Sequence, residues 1–334
     1  MITIKEIAKL AGTSRGTVDR VLHGRGNVNP KLEKRILQIA REHNYQSNPF
    51  AKALVRGGQK YRIGVAINSI GNPFFDDVLA GIRETAEKYA NYGIEVDIEE
   101  FKGYEEAQQL EALRALLDRA PDALAITPFD TPKIAQTLST LAPLPIITLN
   151  SDIYISEKLA FIGPDYVNSG NLSADMVHML LPQGGTVCIV TGSFKMLGHN
   201  QRIKGFREVL SQRKDIRIVA IEENNDDDDI SYQVVSQMMA SHQPDLFYFC
   251  AAGTQGGVQA VLDLEKSPHM IVVDDIAPMR RLLAEGCIKA IITQQPYRQG
   301  ALMIETFFNY LIYGSRPEQV NNFMENQVKL RHAK

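Results

Sequence analysis

Short apolar segments alternate with longer helical stretches along most of this chain, and this alternation restricts the fold more than any other feature. Between residues 62 and 163 the apolar segments have the length and residue types of strands, and they are Arg62–Asn68, Ile94–Glu99, Ala123–Thr127, Leu144–Leu149 and Leu159–Gly163. The stretches Pro73–Asn91, Glu105–Arg119 and Thr131–Leu141 have the length and composition of helices. Strands alternating with helices predict a parallel sheet covered by helices on both faces, which is the α/β class.

The alternation continues in the second half of the chain. From Val167 onward the predicted strands are Thr186–Thr191, Ile216–Glu222, Leu246–Cys250, Met270–Asp274 and Ile288–Thr293. Roughly ten strands in two runs predict either two parallel sheets or one divided body. The length of 334 residues fits two or three domains of about 100–200 residues each.

The first 60 residues are basic, whereas the remainder is acidic. Residues 1–60 hold twelve Lys or Arg against four Asp or Glu, a balance of +8, and the other 274 residues have a balance of −11. A basic head on an acidic body predicts that a polyanion binds the head alone. A basic solubilising tail is the alternative, and the pattern of residues within the head decides against it.

The head has the signals of three short helices. Thr3 and Glu6 form a capping box at the start of the first helix, and Gly12 ends that helix. Ser14 can cap a second helix that runs to Leu22, and Pro30 suits the first turn of a third. An apolar stripe at helical spacing faces the inside of the first helix and consists of Ile4, Ile7, Ala8, Leu10 and Ala11. Two short helices joined by a tight turn and braced by a third predict a helix-turn-helix.

The second helix would enter the major groove of DNA by its amino-terminal end. Arg15 at its tip can donate two hydrogen bonds to guanine, and Ser14 and Thr17 suit phosphates. Arg20 can reach a base or a phosphate one turn later. A three-helix module that docks onto a protein is the alternative interpretation, which the charge and the helix caps disfavour.

The segment from Thr3 to Gly57 resembles the lactose-repressor (LacI/GalR) family of bacterial transcription regulators along its full length. The resemblance implies a hinge helix over Asn48 to Gly57, which folds when two subunits meet on DNA, with Leu54 wedged into the minor groove. Ser47 departs from the proline that relatives commonly carry there. The candidate DNA-binding residues are Thr3, Ser14, Arg15, Gly16, Thr17, Arg20, Asn27 and Leu54.

Polar and aromatic side chains follow several predicted strands of the body. Open α/β sheets bind ligands at the carboxyl ends of their strands, so these residues are candidates for a ligand site. Amides, carboxylates and a guanidinium around aromatic rings suit a polyhydroxylated ligand. Taken singly, Phe74 and Phe75 are more often residues that pack a helix, and it is their joint position with the polar groups that favours a site.

The body resembles the periplasmic sugar-binding-protein fold that serves the same family as its effector domain. The segments NPFF, ITPFD, TLNSD and TQQP and the region of Arg202 carry this resemblance. It implies two lobes, with three chain crossings near Gly163, Gln294 and Pro317. It also implies a cleft lined by Asn68, Asn72, Phe74, Phe75, Asp130, Asn150, Arg202, Asp275 and Gln294.

One segment of the body departs from the pattern of the family, and one acidic run is not part of the resemblance. Ala251-Ala252-Gly253 stands where relatives often place Asn or Asp, so a hydrogen-bonding group is missing after the strand that ends at Cys250. The acidic run Asn224–Asp229 is expected to be an exposed loop that caps the following helix, with a cation site as the alternative.

The sequence thus predicts an α/β protein with a helix-turn-helix head at 1–46, a hinge helix and linker at 47–60, and a two-lobed periplasmic-binding-protein-like body with parallel sheets at 61–334. Lobe 1 is expected to hold residues 61–162 and 294–316, and lobe 2 residues 163–293 and 317–331. We expect no metal, cofactor or catalytic group, since the histidines form no HExxH pattern and no Gly-x-Ser-x-Gly turn occurs.

The predicted function is a ligand-responsive transcriptional regulator, a repressor, that binds a pseudo-palindromic operator as a homodimer. The effector is expected to be a sugar or sugar derivative in the cleft between the lobes. Three cysteines in apolar surroundings and the absence of a secretory signal or membrane span predict a cytoplasmic protein. The chain lacks an apolar heptad tail after its final strand, which favours a dimer over a tetramer. A transport-type binding protein and an α/β enzyme are the alternatives.

Overall fold

The computed structural model of the chain describes residues 2–22, 26, 28–43, 60–264 and 267–332. These residues include a helical head, up to residue 43, and a larger body from residue 60. Asn27, Leu54 and the predicted hinge helix lie outside the described residues. No helix within the described ranges has both the length and the apolar composition needed to cross a membrane.

The described head residues form three helices, which are α1 (Ile4–Ala11), α2 (Arg15–Leu22) and α3 (Pro30–Glu42). The capping box forms as predicted, because the backbone amide of Glu6 donates to Thr3 Oγ1 at 3.3 Å and that of Thr3 to Glu6 Oε2 at 2.8 Å. Gly12 ends α1 with φ of 69°, a left-handed conformation that glycine adopts without steric cost. Asn29 caps α3 through its side-chain oxygen.

The inner faces of the three helices form a small apolar core. Its buried members are Ile7, Ala8, Ala11, Val18, Val21, Ile36 and Ala40. Leu10 was expected on the inner stripe of α1, but its side chain is 48% exposed. The reason is helical geometry, since Leu10 is rotated by about 100° from Ala11 and lies at the edge of the buried face.

The first sheet of the body has six strands, which are β1 (Tyr61–Ile67), β2 (Ile94–Glu100), β3 (Ala123–Ile126), β4 (Ile146–Leu149), β5 (Ala160–Pro164) and β11 (Asn321–Met324). Their order is β11-β5-β4-β3-β1-β2, and all neighbours are parallel. The helices of this lobe are α4 (Phe74–Tyr89), α5 (Glu106–Leu117), α6 (Pro132–Ser139) and α12 (Pro296–Phe308). The strands β1, β3 and β4 are almost entirely buried, as expected of a sheet with helices on both faces.

The second sheet also has six strands, which are β6 (Gly185–Thr191), β7 (Ile216–Glu223), β8 (Leu246–Phe249), β9 (His269–Val273), β10 (Ala290–Thr293) and β12 (Gln327–Lys329). Their order is β12-β10-β9-β8-β6-β7, and only β12 is antiparallel to its neighbour. The helices of this lobe are α7 (Tyr166–Leu180), α8 (Leu197–Leu210), α9 (Asp228–His242), α10 (Thr254–Leu262) and α11 (Ala277–Glu285). The α/β class with two parallel sheets is therefore confirmed.

The chain passes between the two sheets three times, and one of the three crossings was wrongly placed by the sequence. The first follows Pro164 and the second lies at Gln294, close to the expected positions. The third was expected near Pro317, but β11 pairs with β5 of the first sheet, so the crossing lies at Glu325 and Asn326. Residues 317–324 therefore belong to lobe 1, because the edge of β5 offers hydrogen-bonding groups that β11 satisfies.

Each lobe contains at least one very close helix crossing that depends on glycine. A Cβ atom on Gly81 would lie 2.1 Å from the carbonyl oxygen of Tyr297, where α4 crosses α12. A Cβ atom on Gly170 would lie 2.1 Å from the carbonyl oxygen of Arg202, where α7 crosses α8. The crossing of α7 with α8 brings the backbone of Arg202 against Gly170, so it helps to position a candidate site residue.

Candidate DNA-binding and ligand-binding sites

The amino-terminal end of α2 presents the candidate DNA-binding residues on the surface of the head. Ser14 Oγ accepts the backbone amide of Thr17 at 3.2 Å and lies 2.9 Å from the Thr17 hydroxyl. Arg15, Gly16 and Arg20 are exposed on the same helix. Arg20 Nε donates to the carbonyl oxygen of Gly16 at 3.3 Å, which holds this side chain along the helix. Five of the candidates are thus brought together, while Thr3 lies in the cap of α1.

A cleft lies between the two lobes of the body, and residues at the carboxyl ends of the strands line it. Lobe 1 supplies Asn68, Asn72, Phe74, Phe75, Tyr104, Thr127 and Asn150. Lobe 2 supplies Tyr166, Met196, His199, Arg202, Asp226, Ala251, Ala252 and Asp274, and Gln294 lies at the second crossing. This position is where open parallel sheets bind ligands. The cavity volume is about 30 Å³, which holds roughly two water molecules, so the lobes must separate to admit a larger ligand.

Arg202 is the most completely bonded side chain of the cleft. It is 2% exposed, and its guanidinium lies over the ring of Tyr166 at 4.7 Å. Its Nε donates to Ser169 Oγ at 3.1 Å, and its Nη2 donates to Gln294 Oε1 at 3.0 Å. Its Nη1 donates to the carbonyl oxygen of Cys250. A buried charge requires such partners, and these bonds fix the guanidinium at the floor of the cleft.

Asp274 stands beside this group. Its Oδ1 accepts a hydrogen bond from Gln294 Nε2, so Gln294 connects Arg202 to Asp274. Burial raises the pKa of Asp274 to about 6, and the nearby charge of Arg202 opposes that rise. Asp274 has φ of 71°, and this left-handed turn after β9 directs its carboxylate into the cleft.

Asp226 and Tyr104 meet across the cleft. The Tyr104 hydroxyl of lobe 1 donates to Asp226 Oδ2 of lobe 2, and burial raises the pKa of Tyr104 well above its usual value. Two further contacts join the lobes nearby, since Lys195 Nζ donates to the carbonyl oxygen of Tyr104 at 2.8 Å and the Lys195 carbonyl accepts the amide of Asp130 at 2.8 Å. Burial lowers the pKa of His199, which keeps its imidazole neutral at pH 7.

Seven of the nine predicted ligand residues line the cleft, and two do not. Asp275 instead pairs with Arg280 at 3.4 Å and with Lys329, away from the lining. The neighbouring Asp274 takes its place, because the left-handed turn exchanges the directions of the two carboxylates. Asp130 lies outside the lining, with its backbone bonded to Lys195.

Other lining residues were not singled out as site residues. Tyr104 follows β2, Tyr166 begins the helix after β5, and Asp226 follows β7. Each comes shortly after the carboxyl end of a strand, so a systematic reading of every strand end would have found them. The acidic run was expected to be an exposed loop, and Asp227 does cap α9, but Asp226 lies in the cleft.

Within the described ranges, no three His, Cys, Asp or Glu side chains are placed to hold a metal ion. The free thiols of Cys188 and Cys250 are buried, and burial raises the pKa of Cys188 to about 12 and that of Cys250 to about 11. Both thiols are therefore protonated at neutral pH, in the form that is not nucleophilic.

Comparison with known families gives two matches. Residues 63–315 match the model of the periplasmic binding protein domain, and residues 3–48 match that of bacterial regulatory proteins of the lacI family. Among solved structures, a glucose-galactose binding protein from Geobacillus stearothermophilus has a TM-score of 0.75 at 21% identity, covering 82% of this chain and 98% of that protein.

Two curated relatives are regulators. The ribose operon repressor of Halalkalibacterium halodurans is 27% identical over 220 residues, which is 66% of this chain and 62% of that protein. The sucrose operon repressor of Klebsiella pneumoniae is 24% identical over 344 residues, 99% of this chain and 98% of that protein. The chain spans 62% of the length of the first of these relatives. It belongs to the periplasmic binding protein domain family over its body and to the lacI family of bacterial regulatory proteins at its head.

Proposed function

We propose that the protein is a transcriptional repressor whose affinity for DNA changes when a small polyhydroxylated molecule binds between the lobes of its body. One observation carries the proposal. The same chain presents an arginine at the exposed amino-terminal end of a helix-turn-helix and buries Arg202 and Asp274 in an interlobe cleft. Regulators and sugar-binding proteins among its relatives support the two halves of this function.

The head would bind DNA through α2. Arg15 is exposed at the tip of the helix, where its guanidinium can contact guanine in the major groove. The amino-terminal end of α2 and the hydroxyls of Ser14 and Thr17 suit phosphate oxygens. One such head covers a half-site, so we propose that a homodimer binds a pseudo-palindromic operator in the cytoplasm. Leu54 as a minor-groove wedge stays a prediction.

The body would change state through the cleft. Contacts of Tyr104 with Asp226 and of Lys195 with Asp130 join the lobes, and the closed cleft leaves little room. A ligand that binds the closed and open forms unequally shifts the balance between them. If the two forms also differ in their affinity for operator DNA, the ligand controls repression. Operator DNA then changes the affinity for the ligand by the same factor by which the ligand changes the affinity for DNA.

Selection of binding sites from random DNA tests the proposal. The wild-type chain should enrich a two-fold symmetric site, and Arg15→Ala should relax the preference at one base pair of each half-site. Arg114→Ala is the matched control, because Arg114 is an exposed arginine on α5 of the body. Enrichment of no sequence would refute DNA recognition, and an unchanged site with Arg15→Ala would refute the assigned base contact.

A further inference from the structure

We propose that Asp226 is the carboxylate that selects the ligand of the cleft, and that this ligand is a polyhydroxylated compound that is uncharged or carries an amine. Phosphate esters and sugar acids are excluded. The role of Asp226 rests on the proposed function, since it concerns the same cleft. The proposal adds the chemical class of ligand that the cleft accepts.

The loop after β7 turns Asp226 into the cleft. Asn225 and Asp226 both have left-handed backbone conformations, with φ of 54° and 56°. Asn224 Oδ1 accepts the amide of Asp226 at 2.9 Å, and Asp226 Oδ1 accepts the amide of Ala252 at 3.1 Å. Left-handed conformations are costly for residues other than glycine, and hydrogen bonds at both ends of the turn hold this one.

Small residues around the loop leave the space that the carboxylate occupies. A Cβ atom on Gly192 would lie 2.3 Å from Asp226 Oδ1, and one on Gly253 would lie 2.6 Å from Asn224 Nδ2. The Ala251-Ala252-Gly253 segment carries no polar side chain, and the carboxylate of Asp226 bonds to its backbone instead. Asp226 therefore supplies the polar group that the segment after β8 lacks.

The charges that line the cleft disfavour an anion. Arg202 is the one lysine or arginine among the described lining residues, and its guanidinium already donates to three protein acceptors. Asp226 and Asp274 form no salt bridge with any described residue, and His199 is neutral. A phosphate or carboxylate would face two carboxylates in a buried setting, which costs free energy through repulsion and desolvation.

Donor groups on a ligand find partners in the same place. Asp226 uses one lone pair of each oxygen for Tyr104 and Ala252, which leaves acceptor sites for hydroxyl or ammonium groups. Thr127 also lines the cleft, and its buried Oγ1 has no hydrogen-bond partner among the residues that the structure describes. A buried hydroxyl without a partner indicates that the cleft is built for a further polar contact.

The experiment is titration calorimetry on the full-length wild-type chain at pH 7.5, with compounds matched in shape. The probes are glucose, galactose, ribose, arabinose, allose and myo-inositol, together with the amino, phosphate and acid counterparts of those that have them. We expect at least one neutral or amino compound to bind and its phosphate or acid counterpart to bind at least tenfold more weakly. A phosphate or acid that binds as tightly as its parent, or a set in which no neutral or amino compound binds, would overturn the proposal.

Asp226→Asn separates the charge from the shape, and Asp229→Asn, an exposed residue in the first turn of α9, is the matched control. We expect Asp226→Asn to weaken binding of an amino compound by about tenfold or more and to narrow the discrimination against its acid counterpart, because charge-assisted hydrogen bonds are the stronger ones. An unchanged ranking overturns the role of Asp226. Operator binding is measured on the same preparations, because a chain that binds operator DNA but shows no effect of Asp226→Asn contradicts the role of Asp226 and not the proposed function. If the variant does not fold, the order of ligand affinities of the wild-type chain decides the proposal.

Discussion

Replacing Arg202 by methionine should destabilise the body as well as affect its ligand site. The variant keeps a long side chain that can pack on Tyr166, but it removes the donors of three buried hydrogen bonds. Ser169, which is fully buried, and the carbonyl oxygen of Cys250 would then lack their partner. A ligand assay on this variant alone would therefore confuse loss of binding with loss of folding.

The size of the effect follows from those bonds. Each hydrogen bond from a charged donor contributes about 1.5–3 kcal/mol, but the sum of three overestimates the net loss, because removing a buried charge also relieves its desolvation. A net loss of about 3–5 kcal/mol in the free energy of unfolding is the value expected when a buried charge network loses one member.

Urea unfolding followed by circular dichroism measures this loss. The matched control is Lys204→Met on the same helix, whose side chain is 67% exposed and 3.8 Å from Glu208. The control should change stability by no more than about 0.5 kcal/mol. A loss below about 1 kcal/mol for Arg202→Met, close to that of the control, would refute the bonding network, since three unsatisfied buried acceptors cannot cost so little.

Three further predictions test other parts of the molecule. Gly170→Ala should destabilise the body by about 1–3 kcal/mol in urea unfolding, because its Cβ would lie 2.1 Å from the carbonyl oxygen of Arg202, and a neutral effect would mean that α7 and α8 cross less closely. Burial raises the pKa of Asp274 from 3.8 to about 6, so the folded state holds this proton more tightly than the unfolded state does. The stabilisation from protonated Asp274 is present below about pH 4 and is lost as pH rises through 6. The free energy of unfolding of wild type should therefore fall by about 3 kcal/mol relative to that of Asp274→Asn over this interval. A difference between the two proteins that does not change with pH would contradict the raised pKa. Thr3→Ala should lower the stability of the head by about 1 kcal/mol through loss of the capping box, measured by hydrogen exchange of α1 amides, whereas Thr137→Ala, a half-buried position in α6 of the body, should leave that exchange unchanged.

Local signals in the sequence predicted the head and the order of elements in the body. The Thr3 and Glu6 capping box, the Gly12 stop and the Pro30 start each act within one helical turn, so they need no tertiary context. The strand and helix alternation likewise predicted the α/β class, and residues after strands predicted where the cleft lies. Asn72, Phe74 and Phe75 were found in this way.

Tertiary structure decided which of two adjacent groups enters the cleft and where the last strands pair. Asp274 and Asp275 are identical in chemistry, and only the left-handed turn after β9 directs the first one inward. The third crossing lies at Glu325 rather than Pro317, because pairing of β11 with β5 depends on an edge that is distant in sequence.

Asp226 shows the same division most clearly. Its sequence context, an acidic run before a helix, predicts an exposed cap, and Asp227 fulfils that role through local hydrogen bonds. The entry of Asp226 into the cleft depends on Ala252, Gly192 and Tyr104, which are far from it in sequence. Sequence alone determined the helices, strands and fold class, because caps and hydrophobic periodicity act over a few residues. The identity of the cleft's carboxylates was decided by packing between distant segments, which fixes side-chain directions that no local pattern encodes.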